Sequence, residues 1–309
     1  MPHLLKLIFI LTTLIFMAVP SAIASAETVA PLNCQERPFD KGRLWKVSKV
    51  GSLPSYIFGT MHSKDPRILQ LPGIIMQAFN NSSTAVFETS LKDEDIASSQ
   101  AMMMLPTGQS LKSRIGPGRF SKLSELAAPY GMAPEILDRV KIWAAAAVIS
   151  QPPPPRQKNA AQMNLLDKEL EKSARQSGKQ VLALETNAEQ LGIFDQLSDA
   201  VQLEYLDQSM AENANINKEL ETITGYYLSG NTGWIACNLE ETLKTASDGL
   251  NRLMTEKLIN ERNRRMVSRM TPALQQGNTF VGIGALHLPG EDGVLALLQA
   301  QGFKVERKY

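Results

Sequence analysis

The chain has 309 residues, of which 32 are lysine or arginine, 31 are aspartate or glutamate and 43% are hydrophobic. A net charge of +1 gives no electrostatic case for nucleic acid or an anionic membrane surface as a partner. The composition is that of an ordinary globular protein, and no low-complexity tract or solenoid period runs through it.

The opening "MPHLLKLIFILTTLIFMAVPSAIASAE" has one lysine, Lys6, and then an apolar stretch from about Leu7 to Val19, ending on Ala24-Ser25-Ala26. The stretch is short for a bilayer span and its ending is an A-x-A cleavage pattern. Residues 1–26 are therefore expected to be a signal peptide, cleaved after Ala26, with an uncleaved anchor as the alternative. Asn33 before Cys34 argues against a lipoprotein attachment site. The expected location is periplasmic or secreted, with no stable membrane span after cleavage. Loss of Lys6 leaves 31 basic residues facing 31 acidic ones. Cys34 and Cys237 can form one disulfide in an oxidising compartment or stay as two buried thiols, and spacing alone does not decide.

The remaining chain is roughly 280 residues long, enough for one large domain or two smaller ones. "RLWKVSKVGSLPSYIFGTMH" (43–62) predicts two strands, Leu44–Val50 and Ser55–Phe58, joined by Gly51-Ser52-Leu53-Pro54. Rough alternation marks the first as half-exposed. A helix over 67–80 and a short buried strand in "STAVFETS" come next. From about 92 to 178 the pattern is helical and includes the alanine-rich "EILDRVKIWAAAAVIS". Within it "QPPPPR" (151–156) is a stiff connector, since each proline lacks an N–H and fixes φ. "KQVLALETN" (179–187) predicts another buried strand. Helices dominate 188–276, with a loop near Gly230–Gly233. The chain closes with a strand at 279–283, a helix around 291–301 and a strand at 302–307. The fold class is α/β: a mixed central sheet flanked by helices, one domain over 27–309 with a large helical insertion at about 92–178.

Histidine occurs three times, and two of the three occupy the same local pattern. "YIFGTMH" ends on His62 and "FVGIGALH" on His287, each an apolar strand followed by Gly-x-x-His. Two further strands, "AVFET" and "VLALET", end in Glu-Thr, at Glu88 and Glu185. In an open α/β sheet, functional groups gather beyond the carboxyl ends of the strands. His62, Glu88, Glu185 and His287 therefore converge if their strands are parallel neighbours. Imidazole and carboxylate are the usual ligands of zinc, manganese or iron. Gly59 and Gly284 would let the chain turn off each strand and bring backbone close to the site. Taken singly, each histidine reads as a structural hydrogen-bonder and each glutamate as the start of the next helix; the joint pattern favours a two-His, two-Glu site.

In 249–277, Leu250, Met254, Leu258, Met266, Met270 and Leu274 form an apolar helical stripe on which Arg262 also falls. A guanidinium on a buried face needs an anion, which Glu88, Glu185 or a substrate would supply; alternatively its head reaches solvent. Arg264, Arg265 and Arg269 read as a solvated face.

These residues resemble the TraB/PrgY/GumN family, whose animal relatives include the Tiki Wnt-cleaving metalloproteases. The resemblance rests on "LWKVSKVGSLPSYIFGTMHS", "VFET", "LALETNAEQLGIFD", "INERNRRM" and "FVGIGALHLPGEDGVLALLQAQGFKVER". The family's two Gly-x-x-His motifs and separated glutamates match Gly59/His62, Gly284/His287, Glu88 and Glu185. Gln190 and the pair Arg262-Asn263 fall where the family pattern has them. The resemblance implies an erythromycin-esterase-like or ChaN-like α/β fold. For the Tiki branch it implies peptide hydrolysis supported by manganese or cobalt.

The expected function is a periplasmic or secreted metal-dependent hydrolase, acting on peptides or another small-molecule substrate. His62, His287 and one or both glutamates would hold the ion, and a glutamate would act as base. Arg262 and Asn263 would orient that glutamate or stabilise an oxyanion. The rival readings are a protein that sequesters a peptide signal or haem without turnover, and an esterase on the same fold.

Overall fold

A computed structural model describes residues 34–90, 93–154 and 165–309. The expected signal segment 1–26, its cleavage site and the end of the proline run lie outside the described residues. The described chain falls into two compact units: a sheet unit made of 34–90, 165–186 and 221–309, and a helical unit made of 93–154 and 187–220.

The sheet unit carries six strands: β1 (Leu44–Ser48), β2 (Ser55–Thr60), β3 (Thr84–Phe87), β4 (Gln180–Ala183), β5 (Thr279–Gly284) and β6 (Lys304–Arg307). Their order is β4-β3-β5-β2-β1-β6. β4, β3, β5 and β2 run parallel, whereas β1 is antiparallel to both β2 and β6. This is a mixed sheet in an α/β fold. β5 lies at its centre, and the near-continuous apolar run "TFVGIG" reflects helices covering both faces of a parallel strand. The register sets Thr60 beside Gly284 and Phe87 beside Gly282, so β2, β3 and β5 end nearly level.

Side chains alternate across the sheet as the period of two demands. Val47, Ile57, Val86, Val281 and Ile283 pack with Met266, Met270 and Leu274 of helix Glu261–Gln276 and with Leu295 and Leu298 of helix Val294–Ala300. Elsewhere in the core, Phe280 meets Phe58 and, edge-on, Phe79 of helix Gly73–Asn81. Cys34 and Cys237 are joined by a disulfide, with Cα atoms 5.5 Å apart, which ties the segment before β1 to helix Thr232–Leu243.

Two strands differ from the sequence pattern. β1 is mostly buried, because β6 closes its outer edge and puts Trp45 and Val47 in the core. β4 is mostly exposed, because it is the last strand on its side of the sheet; its apolar run suggested an interior position that it does not have. The stripe along 250–274 also passes through a π-helical stretch, Leu253–Asn260. The wider turn buries Leu253 and leaves Met254 and Leu258 half-buried.

In the helical unit, the alanine-rich segment forms helix Ile142–Ile149, buried along its whole length. Trp143 stacks on Phe194 at 5.3 Å, and its indole N–H donates to Asp195 at 2.7 Å. Among the described residues, no helix is long and apolar enough to cross a membrane.

Candidate metal centre

The parallel strands deliver the expected residues to one end of the sheet. Glu88 follows β3 directly, and Glu185 lies two residues beyond β4, its backbone N–H donating to the Glu88 carbonyl oxygen at 2.7 Å. His287 closes a single 3₁₀ turn after β5, and His62 lies two residues beyond β2. All four side chains are buried.

Arg262 is the hub of the cluster. Its Nε donates to Glu185 Oε2 at 2.9 Å and its Nη2 to Glu88 Oε2 at 2.7 Å, while Nη1 donates to the Leu258 carbonyl at 3.2 Å. The buried guanidinium therefore has the anionic partners its position requires and does not reach for solvent. Arg265, expected on a solvated face, instead donates through Nε to Glu185 Oε1 at 2.8 Å, with Nη2 on the same oxygen. Arg269 donates to the Leu184 carbonyl at 2.7 Å. From this helix the sequence named only Arg262 as a buried partner. Residues three and seven further on share its face, a spacing that holds the signal for Arg265 and Arg269.

Burial alone would push the Glu88 carboxyl up. The Arg262 guanidinium, the two imidazoles and the Gly284 N–H, which donates to Glu88 Oε1 at 2.6 Å, hold it down at about 2 instead. His287 is lowered to about 4, first by burial and then by Arg262. Burial disfavours charge on Arg262 as well, but the two carboxylates raise its pKa further.

Asn263 fixes the state of His287. Its Nδ2 donates to the Asp292 carbonyl oxygen at 2.8 Å, which leaves Oδ1 facing His287 Nδ1 at 2.6 Å. An oxygen acceptor there requires the imidazole proton on Nδ1, so Nε2 of the neutral ring carries a lone pair. That Nε2 lies 3.7 Å from Glu88 Oε1. Asn263 therefore orients a histidine and not a glutamate. His62 acts electrostatically on both Glu88 and His287.

The glycines act through space, not through unusual dihedrals. A Cβ on Gly59 would lie 2.7 Å from Leu288 Cδ1 and 3.1 Å from the Ala285 Cα, so β2 could not lie against the turn that carries His287. A Cβ on Gly284 would meet Glu88 Oε1 at 3.1 Å. Gln190 lies in the helical unit, buried on helix Asn187–Asp195.

Among the described residues, no group of three or more His, Cys, Asp or Glu side chains is assembled around a common ion position. This departs from a four-ligand cage, and Glu185 supplies the clearest reason: guanidinium groups engage both its oxygens. The chemistry of the remaining donors does fit a divalent ion. His287 Nε2 and Glu88 Oε1 are two lone-pair atoms with no proton between them, an arrangement that a cation relieves.

The TraB/PrgY/gumN family matches residues 43–307. An uncharacterized protein of Shigella flexneri, YbaP, is 21% identical over 253 residues, covering 82% of this chain and 90% of its own length. Metalloprotease TIKI2 of Danio rerio is 23% identical over 85% of this chain, and metalloprotease TIKI1 of Homo sapiens is 22% identical over 96% of it. This chain spans 60% of TIKI2 and 68% of human TIKI1. No solved structure gives a match. The match across nearly all of the described sheet unit, with both Gly-x-x-His motifs and both glutamates inside it, makes the chain a member of the TraB/PrgY/gumN family.

Proposed function

We propose that this protein is an exported, divalent-metal-dependent hydrolase acting on peptides, with His287, Glu88 and His62 as the residues that hold the ion. The carrying observation is the facing pair of acceptors, His287 Nε2 and Glu88 Oε1, each fixed by its own partner. The relatives named metalloproteases support the reaction class. The short apolar leader with its A-x-A ending supports export, and the Cys34–Cys237 disulfide fits an oxidising compartment. By family resemblance the ion is manganese or cobalt, and the donor set also accommodates zinc or iron.

A bound divalent ion supplies Lewis acidity toward a carbonyl oxygen and lowers the pKa of water. The chain's own residues divide the remaining work. Arg262 keeps Glu88 ionised, and Asn263 keeps the His287 lone pair directed away from itself. Glu88, kept ionised by Arg262 and the Gly284 N–H, serves as a ligand and electrostatic anchor. Glu185 anchors Arg262 and Arg265 and takes no part as a ligand.

The test is elemental analysis of protein purified without chelators, followed by cleavage of a peptide library with and without added manganese. A single ion per chain and manganese-stimulated cleavage are expected, both lost in His287→Ala and His62→Ala. Variants that keep their ion and their cleavage overturn the site. An ion with no hydrolysis of any peptide or ester favours the sequestering reading.

A further inference from the structure

Asp167 stood out in no sequence pattern, yet it is buried in the same cluster. It lies in the first turn of helix Leu166–Gln176, whose start is tied to the loop after β2 by the Leu166 N–H donating to the Ser63 carbonyl at 3.2 Å. Its Oδ1 accepts a hydrogen bond from the Thr60 hydroxyl at 2.7 Å, and its Oδ2 lies 3.3 Å from His62 Nδ1. Thr60 is the last residue of β2, two before His62, so one oxygen of this carboxylate is held by the strand end. The other, buried and without a hydrogen-bond partner among the described residues, stands beside the ring beyond it.

A buried carboxylate needs partners, and a place in the first helical turn explains only part of this one. The dipole would favour an acid anywhere in that turn. It does not require one aimed at an imidazole and braced by a threonine. The arrangement parallels the one around His287 in layout, with a looser contact: 3.3 Å and no hydrogen bond at His62 against a 2.6 Å hydrogen bond at His287. In both cases a side-chain oxygen from another element faces Nδ1: Asn263 Oδ1 for His287 and Asp167 Oδ2 for His62. We propose that Asp167, braced by Thr60, is a positioning residue that fixes His62 with its proton on Nδ1 and its Nε2 lone pair open to the centre. Such outer partners fix ring orientation and tautomer wherever histidine binds a metal. The inference rests on the proposed metal centre for its purpose, but not for its test.

Long-range proton–nitrogen correlation spectra of the ¹⁵N-labelled, metal-free protein at mildly alkaline pH read the tautomer of each histidine directly. The expected wild-type result is Nδ1–H at both His62 and His287. An Nε2–H signature at His62 overturns the proposal without need of any variant. Asp167→Leu removes the acceptor and should shift His62 toward the Nε2–H form while His287 is unchanged. Asp167→Asn keeps an oxygen and should restore the wild-type signature, and Thr60→Val should weaken it. A folded Asp167→Leu protein with an unaltered His62 tautomer also overturns the proposal. A separate measurement is manganese affinity, expected to fall roughly 10–100-fold in Asp167→Leu and recover in Asp167→Asn. If the tautomer responds as expected while the wild type binds no ion, the positioning role stands and the metal reading fails.

Discussion

At the scale of single residues, the cluster depends on Arg262 more than on any ligand candidate. It is buried and hydrogen-bonded to two carboxylates, both of which are also buried. Removing one partner of such a set leaves uncompensated charge in the interior, which typically costs about 3–5 kcal/mol. Arg262→Met is therefore expected to destabilise by that order in chemical denaturation and to let the Glu88 carboxyl rise from about 2. Arg262→Lys should not restore stability, because an ammonium cannot span two carboxylates in the fixed fork of a guanidinium. Wild-type stability in Arg262→Lys would show the fork to be dispensable.

The same residues set an acid dependence. His287 titrates near 6.5 when exposed and about 4 in the fold, so the unfolded chain takes up its proton first and stability falls as pH drops from 6.5 toward 4. Glu88 moves from 4.5 to about 2, so its contribution is full above 4.5 and is lost as pH falls toward 2. A tenfold difference in proton affinity between the folded and unfolded chain corresponds to about 1.4 kcal/mol. Denaturation midpoints at pH 7, 5 and 3 should fall in sequence, and His287→Gln should flatten the upper step. A wild-type midpoint that does not change between pH 7 and 5 contradicts this assignment.

At the scale of elements, the site depends on how closely β2 packs against the turn after β5. Gly59→Ala would press a methyl group into Leu288 and Ala285, and overpacking of this kind costs about 1–3 kcal/mol. Because Ala285 opens the 3₁₀ turn Ala285–His287, the displaced neighbour carries His287 with it. Gly59→Ala should therefore lower stability and broaden or move the His287 ring signals, with His62 less affected. Unchanged His287 signals would mean that the turn can absorb the methyl group. The strand ends themselves were legible in the sequence. "YIFGTMH" and "FVGIGALH" each set a polar group just past an apolar strand, and parallel pairing brings those ends level. Asp167 was not legible, because it faces His62 from 105 positions away and its helical segment gives no local hint of a strand-end partner. Nor was the exposure of β4, since an apolar run reads the same in a central and an edge strand until the strand order is known. Arg265 was legible in part: its spacing from Arg262 puts both on one helix face, but its partner is known only once the second oxygen of Glu185 has been located.

At the scale of the whole molecule, the Cys34–Cys237 link spans 203 positions of sequence. In the chain-entropy account, closing a loop of that length removes about 5 kcal/mol of disorder from the unfolded state, and measured gains usually fall below that figure. The bond also stands beside a set of local ties. The Gly233 N–H donates to the Asp40 carbonyl at 2.7 Å, and Arg37 pairs with Glu240 at 2.8 Å. These contacts would still draw the segment before β1 toward helix Thr232–Leu243 after reduction, which is a second reason to expect less than the full entropic figure. A Cys34→Ala/Cys237→Ala protein should therefore lose about 2–5 kcal/mol in chemical denaturation, and the oxidised wild type should lose the same amount on adding reductant. None of the hydrogen bonds described around Arg262, Glu88 or His287 involves either cysteine, so bound metal per folded chain should not change in the variant. If ion content fell together with stability, the bond would be acting on the centre itself. A loss confined to stability would assign it to constraining the unfolded chain.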